Sequence, residues 1–156
     1  MSTETEIRAA AIAALTRREH ATRELMRKLT TKGFEPDAVD GVLADLEREG
    51  LLSDERFAEV YVAQRASRGY GPLRIRLELR ERGVDDALIT TSLRDCMIDW
   101  REAARDAQRK RFVAMPDSFP ERARQSRFLQ RRGFDSEQLR HALAGDDEDF
   151  ALDHAS

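Results

Sequence analysis

Apolar residues recur along this chain in helical steps. Leu25 and Leu29 stand four residues apart, as do Ile75 and Leu79, which places each pair on one helix face. A basic residue and a glycine close each stretch, at Lys32-Gly33, Arg82-Gly83 and Arg132-Gly133. Phe34, Val84 and Phe134 follow the glycines. Further on stand Val39, Ile89 and Leu139, then Leu43, Leu93 and Leu143. Every one of these columns recurs at a spacing of 50 residues. Self-similarity in so many columns predicts one supersecondary unit used three times. The third copy departs once: Gln125 stands where Leu25 and Ile75 stand in the others.

Each column has a physical role. The basic residues fall in the last turn of a helix, where the negative end of the dipole favours them, and glycine follows as a left-handed cap. Glu35, Asp85 or Asp135 then stands at the start of another helix, with Pro36 in a first turn and Asp135 and Gln138 at capping-box spacing. That helix packs through Val39, Val42, Leu43 and Leu46 and their counterparts. A longer helix precedes each pair. The first covers roughly residues 5–19, with Ile7, Ala11 and Leu15 on one side. The second is capped by Ser53 and runs to about Ser67, with Phe57, Val60 and Tyr61 inward. The third covers roughly Met97 to Val113, with Trp100, Ala103, Ala104 and Ala107 inward, before a Met115–Pro120 loop. The reading is all-α: three tandem three-helix repeats, at 1–52, 53–96 and 97–145. A unit this small buries little alone, so the copies are expected to stack into an elongated, curved array. Residues 146–156 read as an acidic, disordered tail.

Composition sharpens this picture. Charged residues make up 37% of the chain and aromatics 6%, with four prolines and eight glycines, a mix that favours helix over strand. Cys96 is the one cysteine, so no internal disulfide forms and a reducing compartment is expected. No stretch approaches the ~20 apolar residues of a membrane helix, and Met1 to Glu6 is polar and acidic, unlike a targeting signal. A cytoplasmic, monomeric protein is expected. The net charge of −3 conceals a bipolar distribution. Arg65 to Arg82 carries six arginines against Glu78 and Glu81, and Arg101 to Arg132 carries ten basic residues against four acidic ones. From Asp135 onward the balance reverses, with seven acids against Arg140.

Enzyme chemistry finds little support. His20, His141 and His154 are far apart and in no metal-ligand pattern, and there is no Cys–His pairing, Walker loop or dinucleotide fingerprint. Asp146, Asp147, Glu148 and Asp149 read as a solvated tail rather than a cation site. No catalysis, cofactor or metal is expected.

The run SDERFAEVYVAQRASRGYGPLRIRLELRERGV from Ser53 resembles the central repeat of the RecX family of RecA regulators. Asp54, Arg56, Phe57 and Ala58 carry the likeness, then Gly69-Tyr70-Gly71-Pro72, Arg74, Ile75, Glu78, Leu79 and Arg82-Gly83. The first copy, with Glu24-Leu25, Leu29 and Lys32-Gly33, then Leu46, Gly50, Leu51 and Asp54, resembles that family's opening repeat. Phe128-Leu129 and Arg131-Arg132-Gly133-Phe134 resemble its closing one. The resemblance covers about residues 5–145 and implies a binding protein that lies along the groove of the RecA–single-stranded DNA filament. It further implies that ATP hydrolysis, strand exchange and co-protease action are damped.

Candidate contact residues come from the basic middle. Arg65, Arg68, Arg76 and Arg80 meet RecA carboxylates or DNA phosphate on the functional reading, while Arg74 shares the far side of its helix with Glu78 and Glu81. The competing reading is solvated salt bridges such as Arg74–Glu78. Gly69-Tyr70-Gly71-Pro72 reads as a sharp turn before a helix, with Tyr70 between Arg68 and Arg74 as a contact for a partner. Arg101, Arg105 and Arg109 form an i,i+4 stripe whose like charges repel, and Lys110 and Arg111 extend it. A binding stripe and a solvated face stay equally open there. The alternative function is a direct DNA binder that acts without RecA, on single-stranded DNA or otherwise.

Overall fold

The computed structural model describes residues 3–144, so the expected tail at 146–156 lies outside the described residues. Nine helices and no strand are found among the described residues. They are α1 (Thr3–Arg17), α2 (Thr22–Thr31), α3 (Pro36–Arg48), α4 (Asp54–Ser67), α5 (Pro72–Glu81), α6 (Asp86–Asp95), α7 (Trp100–Arg111), α8 (Phe119–Arg132) and α9 (Ser136–Leu143). In each triad the second helix ends in the same way. Gly33, Gly83 and Gly133 have φ of +102°, +81° and +99°, a left-handed conformation that a Cβ penalises. The amides that follow donate back over the glycine, Phe34 to the Leu29 carbonyl, Val84 to Leu79 and Phe134 to Leu129, at 3.3, 3.1 and 3.1 Å. These bonds close the Schellman geometry and turn the next apolar side chain under the helix just left.

Helix starts follow their caps. The Ser53 hydroxyl accepts from the Arg56 amide at 3.1 Å, and Asp135 and Gln138 form a reciprocal capping box. Pro36 opens α3 in its first turn. The α7 boundary differs from the expected Met97–Val113. The Asp99 carboxylate accepts from the amides of Arg101 and Glu102, both at 3.1 Å, and starts the helix at Trp100. Met97 is left fully exposed. At the far end Phe112 turns extended and is buried, so the helix stops at Arg111. On α4 the inward row is Phe57, Ala58 and Val62, whereas Val60 faces solvent and Tyr61 is half-buried.

Contacts group the chain into two compact units, Met1–Tyr61 with Glu78–Asp95 and Val62–Leu77 with Cys96–Ser156, so the boundary falls inside both α4 and α5. The first unit is built on Ile7, Ala11, Leu25, Leu29, Val39, Leu43 and Leu46. The second unit has a smaller core of Ala104, Ala107, Leu129, Phe134, Ala142 and Leu143, flanked by Trp100, Ala103, Phe128 and Leu139.

Gln125 in this second unit is buried, as the column demands, but is satisfied by polar partners. Its Oε1 accepts from Gln108 Nε2 at 3.0 Å, and its Nε2 donates to the Ala114 carbonyl at 3.2 Å and to Glu121 at 3.0 Å. Gln108 is equally buried and also reaches the Ala114 carbonyl, at 3.3 Å. Two amides on α7 and α8 thus pair at the column where the other repeats bury Leu25 and Ile75, and each of the two has a polar partner.

Candidate functional site

The turn between α4 and α5 positions the candidate side chains of the second unit. Gly69 has φ of +89°, and the chain then runs against the cap of α8. The Gly71 amide donates to the Arg132 carbonyl at 2.7 Å and the Leu73 amide to the Gly133 carbonyl at 2.9 Å. A Cβ at Gly71 would lie 2.5 Å from the carbonyl atoms of Gly133, so only glycine permits this approach. The glycine pair of the turn is therefore a backbone latch.

Tyr70, carried on that turn, is half-buried under arginines. The guanidinium of Arg65 lies 3.8 Å from the ring centroid, that of Arg132 4.6 Å and that of Arg74 5.4 Å. Arg74 also donates to the Arg131 carbonyl at 3.3 Å, and Arg132 to the Arg68 carbonyl at 3.1 Å. The ring quadrupole attracts each cation and limits its rotamers, so the aromatic acts as a mount for charge rather than as an open stacking surface. Arg132 and Arg111 both also lie over Phe128, at 5.1 and 5.8 Å. Arg68, Lys110, Arg111 and Arg132 line one cleft of about 150 Å³ with Phe128 at its side.

The remaining candidates are held differently. Arg80, in the first unit, pairs with Asp86 at 2.6 Å. Arg76 is partly buried on α5. Arg101 pairs with Glu137 at 3.0 Å, and Arg109 lies 3.6 Å from Glu102 and 3.7 Å from Asp106. Arg105 donates to the His141 carbonyl at 3.0 Å, closing the C-terminal end of α9. The repulsion within the Arg101–Arg105–Arg109 stripe is thus relieved by separate partners for each member. Glu78, grouped above with solvated charge, is buried and accepts from the Tyr61 hydroxyl at 3.0 Å. Above the same Tyr61 ring lies Arg82, 4.7 Å from its centroid.

Arg132 and Phe128 were not singled out as site residues by the pattern of the sequence. Arg132 occupies the basic column before glycine and reads there as a helix-dipole partner, while Phe128 enters only through the resemblance to the closing repeat. The available signal was the column itself, since both Arg82 and Arg132 stack on tyrosines.

Three models of known families match the chain. They are the first three-helix domain of RecX at residues 8–46, the second at 53–93 and the third at 99–143. The chain belongs to the RecX family. A relative named Regulatory protein RecX from Halorhodospira halophila is 49% identical, over 92% of this chain and 89% of that protein. The Regulatory protein RecX of Pseudomonas savastanoi pv. phaseolicola is 43% identical, over 93% of this chain and 94% of its own. The crystal structure of RecX from Lactobacillus salivarius shares the fold, with a TM-score of 0.75 at 19% identity over 96% of this chain and 97% of that one. The Tyr70 turn and Arg74 lie within the second RecX domain, whereas Lys110, Arg111 and Arg132 lie within the third. Among the described residues no helix is long and apolar enough to cross a membrane.

Proposed function

We propose that this chain regulates RecA by binding the RecA–single-stranded DNA filament, and that bound chain slows ATP hydrolysis, strand exchange and co-protease action. It works in the cytoplasm as a monomer, by binding and not by catalysis, and so damps recombination and the SOS response. Membership of the RecX regulatory family supports this reading. The single observation that carries it is the assembly of cations on aromatic mounts around the Tyr70 turn. Guanidinium groups fixed before binding lose less freedom on meeting carboxylate or phosphate, and they recognise either in a bidentate way. Arg65, Arg68, Tyr70, Arg74, Arg76, Lys110 and Arg111 of the second unit are assigned to that contact, and Arg80 of the first unit is assigned to filament binding separately. Arg101 and Arg109 are assigned to filament binding as well, and Arg105 supports it by fixing α9.

Co-sedimentation with preformed filaments tests the proposal. Reversal of Arg76 and Arg80 to Glu is expected to weaken binding while the helical circular dichroism is retained. A large loss places the pair centrally, and a small, salt-sensitive one at the rim. Unchanged binding by the double reversal removes these two residues from the interface. No binding to filaments, with steeply salt-dependent binding to bare DNA, replaces the proposal with the direct DNA-binding reading.

A further inference from the structure

We infer that the cleft lined by Arg68, Lys110, Arg111 and Arg132 is a binding site for a phosphate group. Three helix ends converge there. Arg68 follows the last residue of α4, Lys110 and Arg111 close α7, and Arg132 closes α8. A single cation at each end is explained by the helix dipole. Three such ends offset about half a charge each, so four cations keep a surplus of positive charge that no carboxylate among the lining residues neutralises. Neither Arg68, Lys110, Arg111 nor Arg132 forms an ion pair with a carboxylate among the described residues. Phe128 nevertheless holds two of the guanidinium groups over its ring, and one of these, that of Arg132, also donates to the Arg68 carbonyl. A positively charged site maintained against its own repulsion is complementary to an anion.

The number and kind of the donors select the anion. The open cleft, of about 150 Å³, has room for a tetrahedral oxyanion whose remaining substituent extends into solvent. One guanidinium satisfies a carboxylate in a bidentate way, whereas three guanidiniums and an ammonium match the several oxygens of a phosphate. The group can come from the backbone of a single strand of DNA or from the terminal phosphate of a free nucleotide. The inference draws on the proposed function only for the first of these sources.

Nuclear magnetic resonance of the full chain, without RecA, tests it by titration with inorganic phosphate at low ionic strength. Saturable shifts are expected at the Arg68, Arg111 and Arg132 side-chain Nε–H groups. The exposed pair Arg68→Gln with Lys110→Gln is expected to weaken phosphate binding by about tenfold or more. Arg94→Gln, on the paired and exposed Arg94, should leave it unchanged. An oligothymidylate without terminal phosphate that competes identifies the strand backbone as the source, and ATP that competes alone identifies the nucleotide. Shifts that do not saturate, or phosphate binding that survives the double substitution, would overturn the inference. So would stronger competition from an oligoglutamate peptide than from either phosphate ligand. Loss of filament binding with intact phosphate shifts would refute the proposed function and leave this site standing.

Discussion

Replacing Gln125 by Leu would restore the apolar column of the other two repeats, yet it is expected to destabilise the fold. The substitution removes the acceptor for one N–H of Gln108, an amide as deeply buried as Gln125 itself. A buried donor left unpaired costs about 1–3 kcal/mol, which offsets the gain from the added apolar surface. Gln108→Leu should cost a similar amount, because it strands the Gln125 carbonyl oxygen. The double substitution removes both partners together. The remaining partners, the Ala114 carbonyl and Glu121, can turn to water, since Ala114 is exposed and Glu121 partly so. The double variant should therefore lie within about 1 kcal/mol of the parent, with a coupling energy of about 2 kcal/mol between the sites. Urea denaturation of the four proteins measures the cycle. The bond from Gln125 also holds the Glu121 carboxyl below its usual range, with the Arg124 charge contributing, so Gln125→Leu should raise it. Additive losses in the double variant would refute the buried amide pair.

Other perturbations probe the fold at separate points. Leu79→Ala should cost about 2–5 kcal/mol in a denaturation assay because Leu79 is fully buried, whereas Leu77→Ala, at a residue 52% exposed, should cost about 0.5 kcal/mol or less. Gly71→Ala should cost about 1–3 kcal/mol, since its Cβ meets the Gly133 backbone; a neutral result would deny the latch between the two turns. Burial lowers the pKa of His20 below the usual 6.5, against the pull of the Arg18 carbonyl on its Nδ1. The unfolded chain then binds a proton that the folded chain does not, so stability should fall as pH drops below about 6.5, and His20→Gln should flatten that slope.

The helical repeat was legible because its columns rest on backbone geometry. The glycine at each α2-, α5- and α8-type end has to reach a positive φ, and the leucine four residues earlier has to be buried. Boundaries set by a single side chain were less visible. Asp99 starts α7 four residues after α6 ends at Asp95, and a period of 3.6 does not register that. Val60 fits an apolar row by type, but the row one residue further on, through Ala58 and Val62, is the buried one. Small alanines carry little weight in a hydrophobic pattern, although they permit the closest helix approach. The candidate site was legible as a charge run and no further. That Arg101 pairs with Glu137, Arg105 closes α9 and Arg132 lies over Tyr70 depends on contacts between residues more than 30 positions apart. The Tyr70 mount draws Arg132 from the next repeat, which no local spacing reveals.

The most direct test of the proposed function is the rate of ATP hydrolysis by preformed RecA filaments on single-stranded DNA as this chain is titrated in. The expected result is a progressive fall in rate at sub-stoichiometric to near-stoichiometric ratios, with strand exchange slowed in parallel. An unchanged rate at every ratio, from chain shown to be helical and folded, would contradict it.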